Sequence, residues 1–148
     1  MNEAIVTRGL VKRYGASRAL DGFTLAVPLG ATLGLVGRNG AGKTTWMMTV
    51  AGFVRPDGGE VNVLGRGPFD AERHAGLVAI LPQDSELPLE ARPRELLVRY
   101  ARLQGLSSAS AVQAADDLLA AFNLTEKARC PIRSLSHGMR KRLMAAQC

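Results

Sequence analysis

Nine consecutive residues constrain this chain more than any other feature. They are Gly37-Arg38-Asn39-Gly40-Ala41-Gly42-Lys43-Thr44-Thr45, and they fit G-x-x-x-x-G-K-[ST] without a departure. The run before them, Thr32-Leu33-Gly34-Leu35-Val36, is short and apolar and predicts a buried parallel strand. After them, Thr45 to Ala51 holds no Pro or Gly and predicts a helix that stops at Gly52. A strand, a glycine loop and a helix in that order give the pattern its physical meaning.

Gly37, Gly40 and Gly42 allow the backbone to turn tightly and aim its N–H groups inward, a concave nest for anionic oxygens. The N-terminus of the following helix adds partial positive charge at the same place. Lys43 is placed to reach β- and γ-phosphates, and the Thr44 hydroxyl to hold Mg²⁺. Asn39, Ala41 and Thr45 complete the candidate nucleotide-binding set. The chemistry indicated is binding of a nucleoside triphosphate with Mg²⁺.

With 148 residues, 47% of them hydrophobic, the chain suits one domain with a buried core. Cys130 and Cys148 lack CxxC spacing and read as free thiols of a reducing compartment. His74 and His137 stand apart from any other ligand type at metal spacing, so no zinc site is expected. Met1-Asn2-Glu3 leads directly into a strand pattern, with no basic-then-apolar leader. The longest uncharged run, Gly22 to Gly37, is too short for a membrane span and is interrupted by Pro28. A net charge of +6 raises nucleic acid as a partner, but the arginines are scattered and aromatics make up only 5%. A solvated or lipid-adjacent basic surface is the preferred reading, and no nucleic-acid partner is expected.

Along the chain, strands are predicted at Ala4–Thr7 with Leu10–Val11, and at Phe23–Val27. Phe53 to Gly59 is rich in turn residues, Glu60 to Leu64 alternates as a strand, and Phe69 to His74 suits a short helix. Gly76 to Leu81 is a second continuous apolar strand candidate, closed by Pro82-Gln83. Helical character follows. Pro93 opens a helix whose apolar face is Leu96, Leu97, Tyr100 and Leu103, opposite Arg94, Arg99 and Arg102. A second helix from about Ser108 is expected to bury Val112, Ala115, Leu118, Leu119 and Phe122. After a linker through Arg133, Ser136 is placed to cap a last helix that carries Arg140-Lys141-Arg142 on its solvent side.

Taken together, these landmarks resemble ATP-binding cassette (ABC) ATPases, the nucleotide-hydrolysing subunits of ABC transporters. Lys12-Arg13-Tyr14-Gly15 is similar to the family's aromatic loop, which implies that Tyr14 stacks on adenine. The P-loop matches as Gly37 to Thr45. Pro82-Gln83 is similar to the Q-loop, which implies that Gln83 contacts Mg²⁺ and the attacking water. Leu135-Ser136-His137-Gly138-Met139 resembles the LSGGQ signature, with His137 and Met139 in place of its third and fifth residues. By that resemblance Ser136, His137, Gly138 and Met139 act in trans on the ATP of a second ABC subunit.

The implied fold is α/β: a RecA-like P-loop NTPase core with N-terminal antiparallel strands, plus an all-helical subdomain. The implied organisation is one partial ABC ATPase domain over residues 1–148, with the nucleotide-binding α/β core at 1–82. Residues 83–134 hold the Q-loop and helical subdomain, and 135–148 the signature and the start of its helix. The family's Walker B carboxylate, catalytic Glu and switch His lie beyond the signature helix, and no apolar run ending in Asp-Glu occurs in this sequence. The expectation is therefore a chain that lacks the last part of the core and does not turn over ATP alone. The implied partners are a transmembrane permease and a second ABC ATPase in a head-to-tail dimer. The implied location is cytoplasmic, on the face of the membrane. Tyr100 to Leu106 resembles single-cassette exporters. Two alternatives stand beside this one: a soluble ABC protein acting on ribosomes or nucleic acid, and a catalytically silent nucleotide-binding fragment.

Overall fold

The alternating segments at the start of the chain form one long hairpin. β1 (Glu3–Tyr14) and β2 (Ser17–Pro28) pair antiparallel, with Tyr14 opposite Ser17 across the Gly15-Ala16 turn. β3 (Gly58–Val63) pairs with the other edge of β1, giving the order β2-β1-β3. The sequence divides the first strand in two, whereas the chain runs through it with a bulge at Gly9. There φ is +56°, and the Gly9 N–H donates to Thr24 Oγ1 at 2.9 Å. β3 comes so near the bulge that a Cβ on Gly59 would stand 2.4 Å from the Gly9 carbonyl oxygen.

The computed structural model describes residues 2–81 and 86–148, in two compact units, Met1–Val78 and Ala79–Cys148. In the first, α1 (Lys43–Val50) is anchored to the sheet by Trp46. The indole Nε1–H donates to Thr7 Oγ1 at 3.2 Å, the Thr7 hydroxyl donates to Leu25 O at 3.2 Å, and Phe23 meets the ring edge-on at 6.2 Å. Leu10, Leu20, Val27, Val61 and Val63 complete this core. Each such aliphatic side chain, fully buried, stabilises the unit by roughly 1.5–3 kcal/mol.

Two predicted strands and one helix do not form. Residues 32–36 are irregular, with Val36 99% exposed, and 76–81 is a turn followed by irregular chain. A strand requires a hydrogen-bonding neighbour, and among the described residues neither apolar run has one. Residues 69–70 are irregular and 71–74 form turns rather than a helix. They wrap the buried His74, whose ring stacks on Phe69 at 5.3 Å and meets the Val63 carbonyl at 3.1 Å.

The second unit packs α2 (Pro93–Leu103), α3 (Ser108–Ala121) and α4 (His137–Ala146) around Leu96, Leu97, Ala115, Leu119, Ile132 and Leu143. Pro93 occupies the first turn of α2, and Ser107 Oγ caps α3 by accepting the Ser110 N–H at 3.2 Å. Tyr100 and Leu103, predicted on the buried face, are instead exposed because they fall outside the cluster that α3 and α4 supply. On α3 the buried stripe passes through Ala111 rather than Val112, in the four-residue spacing Ala111, Ala115, Leu119 that one helix face requires. Arg94 ties α2 to α3 with a two-pronged pair, Nε and Nη2 donating to Asp116 at 2.6 and 2.8 Å. That fork holds the Asp116 carboxyl below the usual aspartate range and raises Arg94. Among the described residues no helix is long and apolar enough to cross a membrane.

Candidate nucleotide-binding site

The glycine loop ends at Gly42, the N-cap of α1, with φ +83°. A Cβ there would stand 2.3 Å from the Ala19 carbonyl oxygen and 3.1 Å from Leu20 Cδ2. Only glycine satisfies both the left-handed backbone and the close approach to β2. The first i→i−4 bond of α1 runs from Trp46 N–H to Gly42 O at 2.8 Å, so the amides of Lys43, Thr44 and Thr45 have no intrahelical acceptor. No acidic residue sits in the first turn to neutralise the positive end of the helix dipole.

Lys43 Nζ donates back across the loop to Gly37 O at 2.6 Å and Arg38 O at 2.8 Å. Ala41 N–H bonds to Arg38 O at 3.1 Å, and Thr44 is exposed beside these groups. Asn39 and Gly40 lie in the exposed turn of the loop. Amide donors, an ammonium group and an exposed hydroxyl, with no acidic residue in the first turn of α1, form a donor set suited to a triphosphate and a hard, oxygen-preferring cation. Tyr14 closes the hairpin whose second strand meets Gly42 at Ala19, and the residue is 52% exposed. Gln83 lies outside the described residues.

In the second unit, Ser136 caps α4: its Oγ accepts the Met139 N–H at 3.2 Å. His137 and Gly138 are exposed, while Met139 packs on the helical core. Arg140 supports this turn from within, its Nε donating to Leu135 O at 3.0 Å and Nη2 to Arg133 O at 2.8 Å. The sequence places Arg140 only in a solvent-facing basic triplet; its partners lie five and seven residues back, a reach that charge patterning does not reveal.

Trp46 and Asp57 are two further residues that sequence reasoning misses. Trp46 is the chain's single tryptophan, which is the one signal that marks it. Asp57 reads only as a turn residue, although it binds the strand that carries Tyr14.

The family model for ABC transporters matches residues 20–148. The chain is 40% identical over 144 residues to the daunorubicin resistance ATP-binding protein DrrA3 of Streptomyces coeruleorubidus, covering 95% of this chain and 45% of that protein. It is 38% identical over 140 residues to the Nod factor export ATP-binding protein I of Ralstonia nicotianae, covering 94% and 44%. The chain thus spans just under half the length of these curated relatives. In fold it is similar to cbiO1 from Clostridium perfringens, part of the ABC transporter complex cbiONQ, with a TM-score of 0.87 at 21% identity over 99% of this chain and 61% of that one. The family model over most of the chain and these relatives agree: the chain belongs to the ABC transporter family.

Proposed function

We propose that this chain is the nucleotide-binding part of an ATPase subunit that powers an ABC-type exporter. The observation that carries the reading is the mouth of α1: three first-turn amides, the Lys43 ammonium and the Thr44 hydroxyl, with no acidic residue in that turn. Lys43 and the amides of Gly40 to Thr45 hold the β- and γ-phosphates of ATP, and Tyr14 stacks on its base. Thr44, with Gln83, would hold Mg²⁺, whose charge neutralises the phosphate oxygens.

The signature turn serves the ATP of a second subunit. Gly138 supports this reading, because a Cβ there would meet nothing within 4 Å and no positive φ is required. Gly138 is the second residue of α4, so the exposed first turn of that helix carries no side chain there and leaves room for close approach by a partner. The basic helix around Arg94 to Arg102 docks a transmembrane permease, and the assembled subunit works on the cytoplasmic face of the membrane. The export direction draws on relatives named for drug resistance and Nod factor export.

Hydrolysis needs a carboxylate for Mg²⁺ and a group that orients water, and the sequence holds no apolar run ending in Asp-Glu. The 148-residue chain is therefore expected to bind ATP without turnover. The test is a phosphate-release assay on the chain and on a chimera that continues it with the remaining sequence of the Streptomyces relative. Release by the chimera alone, abolished by Lys43→Ala, supports the reading. Lys43-dependent release by the 148 residues, or none by a chimera that binds ATP, contradicts it.

A further inference from the structure

One face of the Tyr14 ring is already occupied. Lys12 Nζ lies 5.6 Å from the ring centroid, on the side that β-strand alternation assigns to both residues. The Lys12 side chain is only 17% exposed, and its ammonium donates to Arg55 O at 2.8 Å and to Asp57 Oδ1 at 3.1 Å. The other Asp57 oxygen accepts the Arg13 N–H at 2.7 Å, and the Asp57 N–H donates to Val11 O at 2.8 Å. The turn at 55–57 thus grips three successive residues, Val11, Lys12 and Arg13, immediately before Tyr14.

We propose that Asp57 is a positioning residue for base recognition: by fixing Lys12 against one face of Tyr14, it presents the opposite face to a nucleobase. The inference rests on the nucleotide-binding reading above. A lysine left free loses its defined position among many rotamers, and a tyrosine at a hairpin tip, without a neighbour on its inner face, can turn that face to solvent or sheet. A cation held over one face also draws π density toward itself, which favours stacking of an electron-rich base on the other. The Arg13 amide first, and the Lys12 ammonium second, keep the Asp57 carboxyl below the usual aspartate range, so the clamp stays charged near neutral pH. Asp57 itself touches no part of the nucleotide.

The experiment compares Asp57→Ala and Lys12→Met with wild type, titrating each with MgATP and, separately, with magnesium tripolyphosphate, which carries the phosphates without a base. Both variants should weaken MgATP about threefold to tenfold and leave tripolyphosphate within about twofold, the scale of one cation–π contact. In a Tyr14→Ala background neither substitution should cost anything further, as expected when the two residues act through one ring. Unchanged MgATP affinity, an equal loss for both probes, or additive losses with Tyr14→Ala would overturn the proposal. If Asp57→Ala fails to fold, Lys12→Met carries the test, since it keeps the aliphatic stem and the Asp57–Arg13 bond. A Tyr14→Ala chain that binds MgATP as wild type does would instead remove the stacking reading itself. Wild-type chain that binds neither probe would remove the nucleotide-binding reading, and this inference with it.

Discussion

Gly42 and Ala19 approach so closely that a methyl group on Gly42 would stand 2.3 Å from the Ala19 carbonyl oxygen. That contact joins the start of α1 to β2, two residues beyond the partner of Tyr14 in the hairpin. It locates the loop and the aromatic tip in one unit, and it depends on the absence of a side chain.

Gly42→Ala should therefore fail twice over, through a left-handed φ of +83° and through the collision with β2. The backbone term alone costs roughly 1–2 kcal/mol, and relief of the collision must displace the loop. A lower urea midpoint together with loss of MgATP binding is the expected result. A variant that matches wild type in both would show that the approach is unimportant.

Trp46→Phe keeps the ring packed against Phe23 and removes the indole N–H that bonds to Thr7 Oγ1 in the buried interior. The orphaned threonine oxygen keeps its bond to Leu25 O, which limits the damage. Destabilisation of about 1–3 kcal/mol by urea denaturation is predicted. No change would mean that the Thr7 contact contributes nothing to holding α1 on the sheet.

The loop was legible because its chemistry is local: glycines, a lysine and a threonine within nine residues determine both backbone and charge. The cap of α4 by Ser136 was legible for the same reason. The Asp57 clamp was not, because its partner Lys12 lies 45 residues away and a Pro-Asp-Gly turn explains the local sequence without it. The segments at 32–36 and 76–81 show the converse failure. Apolar content predicts strands there, but strand formation depends on a neighbour that composition does not specify. Tyr100 and Leu103 make the same point for helices, since periodicity marks a face and only the packed partner decides how far along it burial extends.

Acid should loosen both units through identifiable carboxylates. Asp57, Asp70 and Asp116 are all held below the usual aspartate value, chiefly by the Arg13 amide, the Arg73 amide and the Arg94 guanidinium respectively. A carboxyl whose pKa is lower folded than unfolded adds stability above the unfolded value, near pH 4, and loses it as pH falls through the folded one. Melting temperature should accordingly decline below about pH 4. Asp116→Asn, which removes the Arg94 fork, should lower the melting temperature at neutral pH and shrink the decline. An unchanged acid profile in that variant would show that the pair does not couple to folding.

The central claim is that the loop from Gly37 to Thr45 binds the phosphates of ATP through Lys43 and the first-turn amides. Calorimetric titration of the 148-residue chain with MgATP, beside Lys43→Ala, tests it most directly. Each charge-assisted hydrogen bond from the ammonium contributes roughly 1.5–3 kcal/mol, so two of them predict a loss of at least about a hundredfold in affinity, with circular dichroism unchanged. Equal affinity for wild type and Lys43→Ala would contradict the account.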